Sequence, residues 1–124
     1  MPDESPHRTP PPAGDGTLHQ LRAGVLSLVR DPSARDPSLR QLAVVLVTLA
    51  REEPHTIRGL ATQLRIPKST AFRAVERLEQ IGWAWREADP LDRRSMNVTT
   101  TPSGRAAVAE IIAAMAVDPA HTSE

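Results

Sequence analysis

One stretch of the chain places basic and hydroxyl side chains at a spacing that suits recognition of a polyanion. If the segment from Lys68 to residue 81 is helical, at about 100° of rotation per residue, one face is polar and basic and the other is apolar. The polar face comprises Ser69, Thr70, Arg73, Glu76, Arg77 and Gln80, and the apolar face Ala71, Ala74, Val75, Leu78 and Ile81, with Phe72 at the boundary. Arginine matches the O6 and N7 atoms of guanine, hydroxyl groups are less selective, and a lysine at the helix start suits a phosphate. The polar face therefore predicts contact with DNA, with an ordinary amphipathic surface helix as the alternative.

A second basic group, Arg93 and Arg94, lies in a charged segment between two stretches of alternating pattern. Residues 83–87 and 95–100 predict two strands, and residues 88–94 predict a polar loop that joins them in a hairpin. An arginine at the tip of such a hairpin suits a narrow minor groove. A solvated loop with an internal ion pair is the alternative. We expect Trp83 and Trp85 to pack the hairpin against the helices, with stacking on nucleic acid as the alternative.

The remaining reactive residues give no sign of catalysis. The sequence has no cysteine, which excludes disulfides and thiolate metal sites. The four histidines lack metal-ligand spacing, and no glycine-rich phosphate loop is present. Asp89 and Asp92 could imitate a carboxylate pair, but they lie in the charged loop between arginines. We therefore expect no enzymatic activity, no cofactor and no metal. No apolar run approaches a membrane span, so we expect a cytoplasmic protein without membrane contact.

The formal net charge of zero conceals an uneven distribution. Residues 56–105 hold nine basic and five acidic residues, a net charge of +4, and the acidic excess lies in the rest of the chain. A basic segment of this kind modestly supports binding to nucleic acid.

Periodicity and capping residues predict the elements that position these side chains. Residues 1–16 are rich in proline and predict a disordered tail, and residues 118–124 predict a frayed one. Between them we expect one domain, residues 17–117. Its helices are predicted at residues 18–30, 38–52, 58–64 and 67–81 and from residue 102 to just before Pro119, with a short strand at residues 56–57 before the third helix.

Local signals predict where each helix begins. Thr17 is the predicted cap of the first helix. Asp36, followed by Pro37, is the predicted cap of the second, and Thr101 that of the last. Pro67 is the predicted first residue of the fourth helix, which Gly82 ends. Arg58 and the glycine after it predict a weak start for the third helix, because neither offers a capping side chain.

The predicted fold is mainly α with a small β-hairpin, in the order α-α-β-α-α-β-β-α. The third and fourth helices, joined by a three-residue link, form a helix-turn-helix, and the basic hairpin after them makes it a winged helix.

From about Leu42 to Gly104 the chain resembles MarR-type winged-helix transcriptional regulators. The recognition-helix pattern lies at residues 72–78, followed by Gly82 and Arg86. The wing pattern lies at residues 89–94, followed by Val98, Thr101 and Gly104. Residues 66–70, with Arg73 and residues 78–79, are also similar to the DNA-binding half of IclR-type regulators.

The resemblance implies sequence-specific binding of double-stranded DNA by a homodimeric regulator, most simply a repressor. The first and last helices carry apolar stripes that suit a dimer interface. Recognition would place the fourth helix in the major groove and the wing at the minor groove, with Asp92 bracing Arg94. The expected DNA-binding residues are Lys68, Ser69, Thr70, Arg73, Arg77, Arg93 and Arg94. Arg77 could instead pair with Glu76 or Asp92. The resemblance also implies a small-molecule effector. The alternative function is a winged helix that binds a protein partner without binding DNA.

Overall fold

Five helices and a small antiparallel sheet follow one another in the predicted order. The computed structural model describes residues 16–33, 35–51 and 53–116. The elements are α1 (Thr17–Arg30), α2 (Leu39–Ala50), β1 (His55–Thr56), α3 (Ile57–Leu64), α4 (Lys68–Gln80), β2 (Ala84–Asp89), β3 (Asp92–Thr100) and α5 (Pro102–Met115). This order confirms the predicted winged helix-turn-helix. The predicted tails lie outside the described residues, except for Gly16.

Ser38 caps α2, and the predicted cap at Asp36 is wrong. The Ser38 hydroxyl accepts a hydrogen bond from the Gln41 amide at 3.1 Å, and the Gln41 side chain accepts one from the Ser38 amide at 2.8 Å. This reciprocal pair satisfies two N–H groups that the helix itself leaves unpaired. The aspartate-proline pair therefore precedes the helix, with Asp36 in a left-handed conformation at φ 54°.

Two other helix starts also differ from prediction by one residue. Thr56 caps α3, because its hydroxyl accepts the Gly59 amide hydrogen at 3.0 Å. The weak start predicted at Arg58 is therefore wrong, since the capping side chain comes from the preceding strand. Thr17 is the first residue of α1 rather than its cap, and Gly16 occupies the cap position without a side-chain hydrogen bond.

The link between α3 and α4 turns through a left-handed residue. Arg65 has φ 59°, and the Ile66 amide donates to the Ala61 carbonyl at 3.1 Å. Pro67 is the N-cap of α4 rather than its first helical residue, with extended backbone angles. After the last turn, Gly82 takes a φ of 84°, and its amide donates to the Glu79 carbonyl at 3.1 Å. The predicted glycine stop is thus confirmed.

The hairpin is longer and its turn tighter than the sequence predicts. Strand β3 lies between β1 and β2 and is antiparallel to both. β2 continues to Asp89 and β3 begins at Asp92, so the turn holds only Pro90 and Leu91. The predicted seven-residue loop is therefore wrong, and Arg93 and Arg94 lie on β3. The register of the pairing shifts between Ala88 and Asp89, as it does at a β-bulge.

The apolar face of α4 forms the centre of the core. Ala71, Ala74, Val75, Leu78 and Ile81 are all buried, as predicted. They belong to one cluster with Val44 and Val45 of α2, Leu60 of α3, Trp83, Val98 of β3 and Val108 of α5. Trp83, which precedes β2, packs in this core as expected. Trp85 of β2 is 47% exposed, so the expectation that it also packs against the helices is wrong.

The first and last helices pack against each other at a close approach. A Cβ atom added to Gly24 of α1 would lie 2.7 Å from the Met115 side chain of α5. The outer side of this pair leaves a stripe of large apolar side chains exposed. The stripe comprises Leu18, Leu21, Val25 and Val29 of α1 and Ile112 of α5. None of the described helices has the length and apolar character needed to cross a membrane.

Candidate nucleic-acid interface

The structure brings four of the predicted DNA-binding residues together at the start of α4. Lys68, Ser69 and Arg73 are exposed and Thr70 is half-buried, while the opposite side of the helix is fixed in the core. Ser69, Thr70 and Arg73 line a groove of about 470 Å³ that also includes Arg40 near the start of α2. A rigid helix thus presents two hydroxyl groups and an arginine on one accessible surface.

Arg77 lies one turn beyond Arg73 on the same exposed side. Its Nη1 atom donates to the Oε1 atom of Gln80 at 3.2 Å. No ion pair joins Arg77 to Glu76 or Asp92 among the residues that the structure describes, so the predicted acidic partners are wrong. The side chain is exposed, and its bond to Gln80 uses one of its five N–H groups.

The two arginines of the wing are exposed on β3, just after the turn. Asp92 accepts a hydrogen bond from the Arg94 amide at 3.1 Å, and its Oδ1 atom lies 3.6 Å from Arg94 Nε. The bracing contact predicted between these two residues is therefore present. The Arg94 side chain is 94% exposed, so the contact contributes little stability and serves mainly to orient the arginine. The Asp89 carboxylate fixes the turn by accepting the Leu91 amide hydrogen at 2.9 Å.

A cleft of about 580 Å³ joins the start of α4 to the wing. Its lining includes Lys68 and Arg94 from the predicted set, and also Arg58 and Arg86. Arg58 is not among the residues predicted to bind DNA, since the sequence pattern indicated only a weak helix start at that residue. Its position in the first turn of α3, the first helix of the helix-turn-helix, was the available signal, since such helix starts face the DNA backbone.

Arg86 of β2 makes the most elaborate contacts of any cation at this surface. Its Nε atom donates to Glu79 Oε2 at 3.0 Å, and its Nη2 atom lies 2.8 Å from Glu79 Oε1. Its guanidinium carbon also lies 4.9 Å from the centre of the Phe72 ring. Residues 72 and 79 are two helical turns apart on α4, whereas Arg86 comes from the next element. The sequence singled out Arg86 only within the family pattern and did not predict these contacts.

No group of three or more histidine, aspartate or glutamate side chains within residues 16–33, 35–51 and 53–116 could hold a metal ion. A hydroxyl and an amide of Ser33 lower the pKa of Asp31 from its ordinary value, but Asp31 follows α1 and lies outside this surface.

Comparisons with known proteins agree with this geometry. The sequence model of the MarR family matches residues 40–96. Transcriptional regulator Tm0710 from Thermotoga maritima has a similar structure, with a TM-score of 0.68 at 26% identity over 79% of this chain and 66% of that one. A MarR-family regulator from Rhodococcus sp. RHA1 gives a TM-score of 0.60 at 26% identity, with the same coverage. A mutant MarR from E. coli, complexed with operator DNA, gives 0.64 at 21% identity over 80% of this chain and 67% of that one.

The chain spans 66% of the length of the Thermotoga and Rhodococcus proteins. No curated protein matches its sequence. The family match covers α2, α3, α4, β2 and the start of β3, the elements that build the surface described above. Residues 40–96 of this chain therefore match the MarR family, and they form most of its winged helix-turn-helix.

Proposed function

We propose that this chain is a DNA-binding transcriptional regulator whose helix α4 enters the major groove and whose β2–β3 wing lies at the minor groove. One observation carries the proposal: the start of α4 exposes Lys68, Ser69 and Arg73 on one side while its other side is buried in the core. A helix held in this way can present its first turns to base edges without moving. No enzymatic role is part of the proposal.

Each side chain at the start of α4 has a distinct task in this arrangement. Arg73 pairs with a guanine through its two terminal nitrogens, and Ser69 and Thr70 contact neighbouring base edges. Lys68 lies at the first turn and contacts a phosphate. Arg77 is one turn further along the same side and contacts the backbone of the same groove.

The wing supplies a second contact at a fixed distance from the first. Asp92 orients Arg94, whose side chain is otherwise free in solvent. An arginine presented in this way favours the stronger negative potential of a narrow minor groove. Arg93 is its neighbour on β3 and points to the other face of the hairpin, because side chains alternate along a strand. We assign it to a flanking phosphate.

We further propose that the chain acts as a homodimer on a pseudo-palindromic site. The exposed apolar stripe on α1 and α5 supports this, since apolar side chains at helical spacing favour burial against a second copy. Half-sites would then lie about 34–36 Å apart, one turn of DNA. Occlusion of a promoter by the bound dimer gives repression. The small-molecule effector that the resemblance implies stays a prediction.

Selection of duplexes from a random-sequence pool tests the proposal and provides a binding site. The selected duplex should bind more tightly than a shuffled duplex, and its apparent affinity should fall steeply as salt is raised. Sedimentation velocity on the same sample reports whether the bound species is a dimer. A folded dimer that retains no duplex at low salt would instead support the protein-interaction alternative and overturn the regulator.

A further inference from the structure

We propose that Phe72 and Glu79 hold Arg86 away from DNA and thereby fix the wing against α4. These three residues then determine how strongly the protein prefers one DNA sequence over another, rather than its overall affinity for DNA. We refer to them as the Arg86 cluster. The inference rests on the proposed function, because it assigns positioning residues to the same DNA-binding surface.

The geometry joins the two DNA-contacting elements through one side chain. Arg86 belongs to β2, and both of its partners belong to α4. Glu79 receives two of the arginine nitrogens at 3.0 and 2.8 Å, and the Phe72 ring lies 4.9 Å from the guanidinium carbon. A planar guanidinium held by a two-pronged carboxylate contact and by a ring face has little rotational freedom. The wing is therefore attached to α4 in one orientation.

The same contacts prevent Arg86 from contacting a DNA phosphate. Its side chain is only 23% exposed, against 94% for Arg94. Arg86 lines the same cleft as Lys68, Arg94 and Arg58. An unpaired arginine at that position would add a sequence-independent phosphate contact. Glu79 prevents this by neutralising it, at 27% exposure of its own side chain.

The Arg86 cluster also sets the distance between Arg73, which we assign to base contacts, and Arg94 on the wing. Phe72 directly precedes Arg73 on α4, and Arg86 pairs across the hairpin with Val98 of β3. A wing free to pivot would let Arg94 follow the backbone of any duplex, whatever the position of Arg73. A fixed wing accepts only duplexes in which both contacts can form together.

Glu79→Gln is the central variant, because glutamine keeps the size of glutamate and removes the charge. Its matched control is Glu87→Gln, which makes the same charge change on the same strand as Arg86, where the residue is exposed. The double variant Glu79→Gln with Arg86→Gln restores the original net charge. It also removes the Arg86 side chain, which Glu79→Gln alone would leave free to contact a phosphate. The probes are the duplex selected on the wild type and a shuffled duplex of equal length.

Glu79→Gln should bind the shuffled duplex more tightly than the wild type does and should prefer the selected duplex less. Its plot of log affinity against log salt should steepen by about 0.9, the value for one added phosphate contact on duplex DNA. The double variant should return to the wild-type slope. Glu87→Gln should keep both the slope and the preference. Identical behaviour of Glu79→Gln and Glu87→Gln would overturn the inference.

Hydrogen exchange in the absence of DNA separates this inference from the proposed function. Amides of the β2–β3 ladder should exchange faster in Glu79→Gln and in Phe72→Leu than in Glu87→Gln. If the two variants exchange faster but the wild-type protein binds no duplex, the Arg86 cluster still attaches the wing to α4. That result would refute only the proposal that the protein is a DNA-binding regulator. Unchanged exchange in both variants, whatever the DNA result, would refute the attachment.

Discussion

The hydroxyl of Thr101 donates a hydrogen bond to the carbonyl oxygen of Gly82 at 2.6 Å, across 19 positions of sequence. The same hydroxyl oxygen accepts the Gly104 amide hydrogen at 3.1 Å and so caps α5. A third bond, from the Thr101 amide to the Trp83 carbonyl at 2.9 Å, lies beside them. One residue therefore ties the end of α4, the helix that we assign to DNA recognition, to the start of α5, the helix that we assign to the dimer.

Thr101→Val should lower the free energy of unfolding by about 1–3 kcal/mol, because it leaves the Gly82 carbonyl and the Gly104 amide without their partner. Thr101→Ser keeps the hydroxyl and should retain most of the stability. Ser103→Ala, an exposed hydroxyl on the first turn of the same helix, should change stability by less than about 0.5 kcal/mol. Urea unfolding followed by circular dichroism measures all three. Equal stability of the valine and serine variants would contradict the assigned role.

Gly82→Ala should cost about 1–2 kcal/mol of unfolding free energy through backbone conformation alone. The glycine has a φ of 84°, and an added Cβ atom would meet nothing within 4 Å. Gly82→Asn should cost less, because asparagine tolerates the left-handed region better than alanine. The same unfolding measurement checks the order of the two variants. A greater loss for asparagine would point to steric crowding instead.

Val25→Glu should convert the proposed dimer into a monomer. Val25 is 51% exposed in the middle of the α1 stripe, and a buried carboxylate there would have no partner in the interface. The control is Leu39→Glu, which places the same charge on an apolar residue of α2 that is 84% exposed and lies outside the stripe. Sedimentation velocity gives the result, with circular dichroism as the check on folding. A dimer that survives Val25→Glu unchanged would place the interface elsewhere.

Arg73→Ala and Arg94→Ala should weaken DNA binding in different ways. Loss of Arg73 should cost about 1–3 kcal/mol on the selected duplex and relax base preference, since it removes a paired contact with a base. Loss of Arg94 should weaken binding to selected and shuffled duplexes more evenly. Titrations of both variants against both duplexes give the comparison. Negligible effects from both substitutions would show that the interface lies on another face.

The sequence was informative wherever structure depends on neighbours within one or two turns. The periodicity of residues 68–81 predicted which side of α4 is buried, and Gly82 predicted its end. The first residue of a helix was harder to predict from the sequence, because several neighbouring polar residues can each act as the cap. Asp36 and Ser38 are both good caps, and only the reciprocal bond with Gln41 decides for Ser38.

The sequence by itself determined the order of elements, the buried face of α4, and the presence of basic side chains on α4 and the wing. These follow from local periodicity, because a helix or strand repeats its burial pattern along the chain. Only the tertiary structure decided that residues 88–89 and 92–94, at the two ends of the charged segment, continue the strands, since a strand is completed by its partner's hydrogen bonds rather than by its own composition. Likewise, only the structure shows that Arg86 meets Phe72 and Glu79, because those contacts depend on how β2 packs against α4.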